Sequence, residues 1–111
     1  AYEKLADARS SEPSAVIRER VEAARERQRQ RFAGGPCLCN ADMRPSEIRQ
    51  HARLDEAGSA VMKAAMSRLG LSARGFHRVL KLARTIADLA HAETIAAGHL
   101  AEALQYRPKT T

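Results

Sequence analysis

Three cations offer the clearest chemistry in this chain. Arg74, Arg78 and Lys81 follow one another at spacings of four and three residues. At about 100° per residue, that spacing puts them within about 60° of one another on one face of a helix. Arg74 stands two positions beyond Ser72, which is suited to cap such a helix. An arginine in a first helical turn lies beside unpaired backbone N–H groups, and its planar fork can meet a phosphate in bidentate fashion. The bland reading of the same stripe is a solvated helix face, which is what most charge runs are.

The remaining chemistry-bearing residues form weaker patterns. Cys37 and Cys39 with His51 could supply part of a metal site, but structural zinc uses four ligands and C-x₂₋₄-C spacing, which Cys37-Leu38-Cys39 does not meet. No metal site is therefore expected. His77 borders the cationic stripe, His99 lies near an apolar one and reads as a core histidine, and His91 has no ligand partner at helical spacing. The chain has neither a G-x-x-x-x-G-K-[ST] phosphate loop nor an acidic cluster suited to Mg²⁺. No catalytic residue is expected, so the polypeptide alone should be inactive.

The elements that must position the stripe are helices. The chain has 111 residues, of which 44% are hydrophobic and only 4% aromatic, a composition that fits a thin all-α core. Residues 14–32 read as a helix with a narrow stripe of Ile17, Val21, Ala24 and Gln28. Its second half, from Arg25 to Arg31, is polar all round and should project into solvent or lie against a missing partner. Ala33-Gly34-Gly35-Pro36 ends it. A loop over 37–44 leads to Pro45, which opens a short helix to about Arg53. A helix over about 55–69 follows, with Leu54, Gly58, Val61, Ala65 and Leu69 on its apolar face, and Gly70 stops it. The best-patterned helix runs from Ser72 to about Ala90. Its apolar side is Phe76, Val79, Leu80, Ala83, Ile86, Ala87 and Ala90, opposite the cations. Thr94 is expected to cap a last helix bearing Ala96, His99, Leu100, Ala103 and Leu104. No sheet is expected. The fold class is thus a small bundle of about four to five helices over 14–107, preceded by a linker over 1–13 and followed by a tail over 108–111.

Lys and Arg number 19 against 13 Asp and Glu, a net charge of +6. That balance suits polyanionic partners such as nucleic acid or nucleotide phosphates. No apolar run approaches the roughly 20 residues of a membrane span, and nothing resembles a signal peptide, so a cytoplasmic protein without membrane contact is expected. The start at Ala1-Tyr2-Glu3, without Met, fits an excised piece of a longer chain.

Several blocks together carry a resemblance. Leu69-Gly70-Leu71-Ser72-Ala73-Arg74-Gly75-Phe76-His77-Arg78-Val79-Leu80 continues into Ala83-Arg84-Thr85-Ile86-Ala87-Asp88-Leu89. Ser14, Ile17-Arg18, Arg20-Val21, Ala24-Arg25 and Gln28 precede it, as does Asn40-Ala41. Gly98-His99-Leu100 and Ala103-Leu104-Gln105-Tyr106-Arg107 follow. In this order, over about residues 2–107, they resemble the C-terminal lid of magnesium-chelatase-related, ComM-like AAA+ ATPases. The Cys37-Leu38-Cys39 loop departs from the family's usual pattern. The resemblance implies an AAA+ lid-like helical fold attached to an ATPase core of the same chain, which would bind most of the ATP and Mg²⁺. Ser72-Ala73-Arg74 resembles the sensor-2 context, which implies that Arg74 contacts ATP phosphate, with Arg78 and Lys81 as secondary phosphate or DNA contacts. It further implies a ring, a hexamer in such families, whose neighbouring subunits are partners, and an ATP hydrolase similar to DNA branch-migration helicases of natural transformation. A second function, a stand-alone basic helical module that binds nucleic acid, follows from the charge alone. A third, a homo-oligomerising adaptor, rests only on the polar helix over 14–32.

Overall fold

The computed structural model describes residues 14–106. The expected linker over 1–13, Arg107 and the tail over 108–111 lie outside the described residues. The rest forms five α-helices: α1 (Ser14–Arg31), α2 (Pro45–His51), α3 (Glu56–Leu69), α4 (Ala73–Leu89) and α5 (Ala97–Gln105), with a 3-10 turn at Asn40–Asp42 between α1 and α2. Among the described residues there is no β-strand, only an isolated parallel bridge between Leu54 and Ile95. None of these helices is long and apolar enough to cross a membrane.

Local signals set most of the boundaries. Pro45 fills the first helical position of α2, and the Glu47 carboxylate accepts the Arg44 backbone N–H at 2.9 Å. The Asp55 carboxylate caps α3 through the Gly58 N–H at 2.7 Å, and Ser72 Oγ caps α4 through the Gly75 N–H at 3.0 Å. Gly70 ends α3 in the left-handed conformation, at φ +64°, which glycine adopts without the steric cost other residues bear.

The last helix departs from expectation. Thr94 does not cap it. The cap is Ala96, whose N–H donates to His99 Nδ1 at 2.9 Å. Ile95 is fully buried and bridged to Leu54, so the chain is committed through residue 95 and the helix starts only after Ala96. His99 is half-buried and works as a capping group.

Helix α4 is the centre of the bundle. Val79, Leu80, Ala83 and Ala87 are buried on its inner face, with Phe76 and Ile86 half-buried beside them, while Ala90 is exposed. It packs against α5, α1, α2 and the 3-10 turn. Helix α3 reaches the bundle through α5, where a Cβ on Gly58 would stand 3.1 Å from Leu100 Cδ1. Met62 is buried on α3 although Leu54, Val61 and Leu69 define the expected stripe, and Leu69 itself is exposed.

The polar second half of α1 leaves Arg25, Glu26, Arg29 and Gln30 exposed to solvent, as expected, but turns Arg27, Gln28 and Arg31 onto α4 and its neighbouring turns. Gln28 Oε1 accepts the Asn40 N–H at 2.9 Å. Arg31 sends Nη1 and Nη2 to the two oxygens of Asp88 at 2.8 and 2.7 Å. Asp88, fully buried, also accepts Asn40 Nδ2 at 2.9 Å and pairs with Arg84 Nη2 at 3.1 Å. Arg84 is buried as well and donates to the carbonyls of His51, Ala92 and Glu93. Burial by itself pushes the Asp88 carboxyl up. The hydrogen bonds from Arg31 and Asn40 and the charges of Arg31 and Arg84 outweigh it, so the group stays below the usual carboxylate range. One carboxylate thus ties α1 and the 3-10 turn to α4, and its partner Arg84 ties α4 to the turn that follows it.

Candidate functional site

The outer face of α4 forms one wall of an open groove of about 780 Å³. Arg74, His77, Arg78, Lys81, Leu82 and Thr85 line it from α4, and Ala41, Met43, Pro45 and Ile48 from the 3-10 turn and α2. All three cations singled out by spacing are therefore brought together on this wall. Among the described residues no carboxylate lines the groove, so these residues give it a positive field suited to an anion.

The side chains differ in how they are held. Lys81 is half-buried and its Nζ donates to the Ala41 carbonyl at 3.2 Å, which links the α4 wall to the 3-10 turn. Arg78 is exposed along the wall. His77 is half-buried, with its ring edge-on to Phe76 at 5.9 Å. Arg74 is exposed in the first turn of α4, and among the described residues it makes no hydrogen bond or ion pair. Its guanidinium is free to turn toward an anion outside the bundle, and the buried face of α4 keeps its Cα in a fixed place.

Arg84, ten positions along the same helix, shows the contrast. It is 3% exposed and bound to Asp88 and three carbonyls. At about 100° per residue Arg84 falls at the border between the cationic stripe and the apolar side of the helix, so its burial is decided by the helices and turns packed around it and not by its spacing. Sequence reading missed the groove's opposite wall, Met43 and Ile48, because these residues meet α4 only through the fold. The placement of His77 beside the stripe was the available signal for its part in the lining.

The cysteines do not form a centre. Cys37 is buried and its Sγ lies 3.4 Å from the Asp42 carbonyl, while Cys39 is half-buried. Burial pushes the Cys37 thiol up, with Glu47 acting in the same direction, which leaves it poorly nucleophilic. Among the described residues no three His, Cys, Asp or Glu side chains come together to hold a metal ion.

The family model for the C-terminal region of magnesium chelatase subunit ChlI matches residues 11–107. The chain belongs to that family. Among relatives of this ChlI C-terminal type, competence protein ComM of Haemophilus influenzae is 44% identical over 96 residues, which cover 86% of this chain and 18% of that protein. Protein YifB of Escherichia coli is 42% identical over the same shares. Rv2897c of Mycobacterium tuberculosis is 32% identical over 90% of this chain and 20% of its own length. The chain is thus a ComM-like, magnesium chelatase-related C-terminal domain, and it spans about a fifth of the length of these relatives. No solved structure matches it.

Proposed function

We propose that this domain is the lid of an AAA+ ATPase and that Arg74 is its sensor-2 arginine. The supporting observation is an exposed guanidinium, without a partner among the described residues, in the first turn of a helix whose opposite face is the core. A γ-phosphate presented to it would be held by charge-assisted hydrogen bonds that strengthen as negative charge builds during transfer. ATP and Mg²⁺ would be bound mainly by polypeptide beyond these residues, in the same chain or in a neighbouring subunit of a hexameric ring. Hydrolysis would release Arg74, and α4 would carry that change into the bundle. Arg78 and Lys81 serve as secondary contacts to phosphate or DNA. The likeness to a competence protein supports a role in competence, and DNA branch migration during natural transformation is the activity proposed for the whole protein on the family resemblance of its sequence blocks. In the full-length protein, Arg74→Ala should lower ATP turnover at least about tenfold while the melting temperature stays unchanged. Unchanged turnover would remove Arg74 from the role.

A second reading, a basic helical module that binds nucleic acid by itself, is favoured by the absence of carboxylates from the groove. It predicts binding of oligonucleotides by the isolated domain that weakens steeply as salt rises. Among the described residues the groove is lined by no Phe, Tyr or Trp and only by the half-buried His77 ring as a surface to stack a base, which makes this the weaker reading.

A further inference from the structure

Helix α1 is attached to the bundle differently from its neighbours. Ala24 is its one buried residue, and Val16 and Ile17 are both 41% exposed. Its main packing is against α4, and between Ile17 and Val21 on α1 and Ile86 and Leu89 on α4 lies an open groove of about 620 Å³. Apolar burial therefore holds α1 weakly. Its polar ties are more numerous: Gln28 accepts the Asn40 N–H, Arg27 donates to the His91 carbonyl at 3.4 Å, and Arg31 donates to both Asp88 oxygens and to Asn40 Oδ1. Directly beyond it, Phe32 is buried edge-on against His51 at 5.4 Å, and Gly34 turns the chain at φ +78°.

We propose that α1 is a detachable arm, latched at its base by the Arg31–Asp88 clasp and able to open as a unit while α2 to α5 stay folded. The remaining helices do not need the latch. They share the apolar cluster of Met43, Ile48, Met62, Val79, Leu80, Ile95 and Leu100, and Asp88 keeps Arg84 and Asn40 as partners when Arg31 is gone. A buried clasp is suited to this task, because charge pairs lose most of their attraction once water reaches them. Closed, the latch makes α1 and α4 one rigid body; open, it uncouples residues before Phe32 from the groove face of α4. The inference does not rest on the proposed ATPase role.

Hydrogen exchange of the 111-residue chain tests it, with wild type compared to Arg31→Met, which keeps the aliphatic stem and removes the guanidinium. In wild type, amides of 18–31 should exchange at least about tenfold faster than those of 77–89, because sub-global opening precedes global unfolding. In Arg31→Met, residues 18–31 should speed up by a further tenfold or more, with 77–89 within about threefold of wild type. Equal protection of the two helices in wild type would overturn the proposal. So would loss of protection in both helices by one common factor in the variant, or failure of Arg31→Met to fold, since either would make the clasp part of a single cooperative unit.

Discussion

Arg31 grips Asp88 through both terminal nitrogens across 57 positions of sequence. The carboxylate is fully buried and also meets Arg84 and Asn40, so the pair sits inside a larger polar network. Among the described residues the same network carries one uncompensated atom, Arg84 Nε, which is buried without a hydrogen-bond partner, at a cost of about 1–3 kcal/mol. A cluster of this kind contributes little net stability when intact and much instability when the carboxylate its cations share is removed.

Removing the carboxylate is therefore the severe substitution. Asp88→Ala strands Arg84 and Arg31 beside an apolar cavity and should cost at least about 3 kcal/mol, which corresponds to a fall in melting temperature of more than about 10 °C for a domain of this size. Thermal unfolding by circular dichroism checks it. A melting point within about 3 °C of wild type would contradict the clasp's role.

Glu47 gives a pH signature. Its carboxyl is lowered from the ordinary 4.5 to about 2, first by hydrogen bonding from the Arg44 side chain and next from the Arg44 backbone. A depressed folded-state pKa contributes stability that is present above pH 4.5 and lost as pH falls toward 2. Glu47→Gln should remove that part of the acid dependence and leave a flatter melting-temperature curve between those limits. An identical slope in the variant would show that Glu47 is not a source of it.

Two left-handed residues predict opposite signs. His91 sits at φ +59° just after α4, with its N–H on the Asp88 carbonyl and the Ala92 N–H on the Ala87 carbonyl, the closing pattern of a Schellman turn. His91→Gly relieves the left-handed cost and should stabilise by a few tenths to about 1 kcal/mol. Gly70→Ala imposes that cost at φ +64° in open space and should destabilise by about 1 kcal/mol. Urea midpoints of the two variants should move apart. Movement in the same direction would refute this account of the helix ends.

Much of this molecule could be read from local signals. Pro45, Asp55, Gly70 and Ser72 mark helix ends through backbone chemistry that acts within a few residues, and the 3.6-residue period of α4 separates its core face from its cations. The rest depends on residues far apart in sequence. The Arg-rich end of α1 reads as solvated because Asp88, which pairs Arg31, lies on another helix. Thr94 looks like a cap, but the burial of Ile95 against Leu54 overrides it. The groove was half visible: its cationic wall belongs to one helix, while Met43 and Ile48 meet that helix only after folding.

The proposed presentation of Arg74 to a nucleotide is tested most directly by the ATP turnover number of the full-length protein carrying Arg74→Ala, with Arg78→Ala measured beside it. The account predicts that Arg74→Ala lowers kcat at least about tenfold and that Arg78→Ala, one turn further along the groove, has the smaller effect. Wild-type turnover in Arg74→Ala would contradict it.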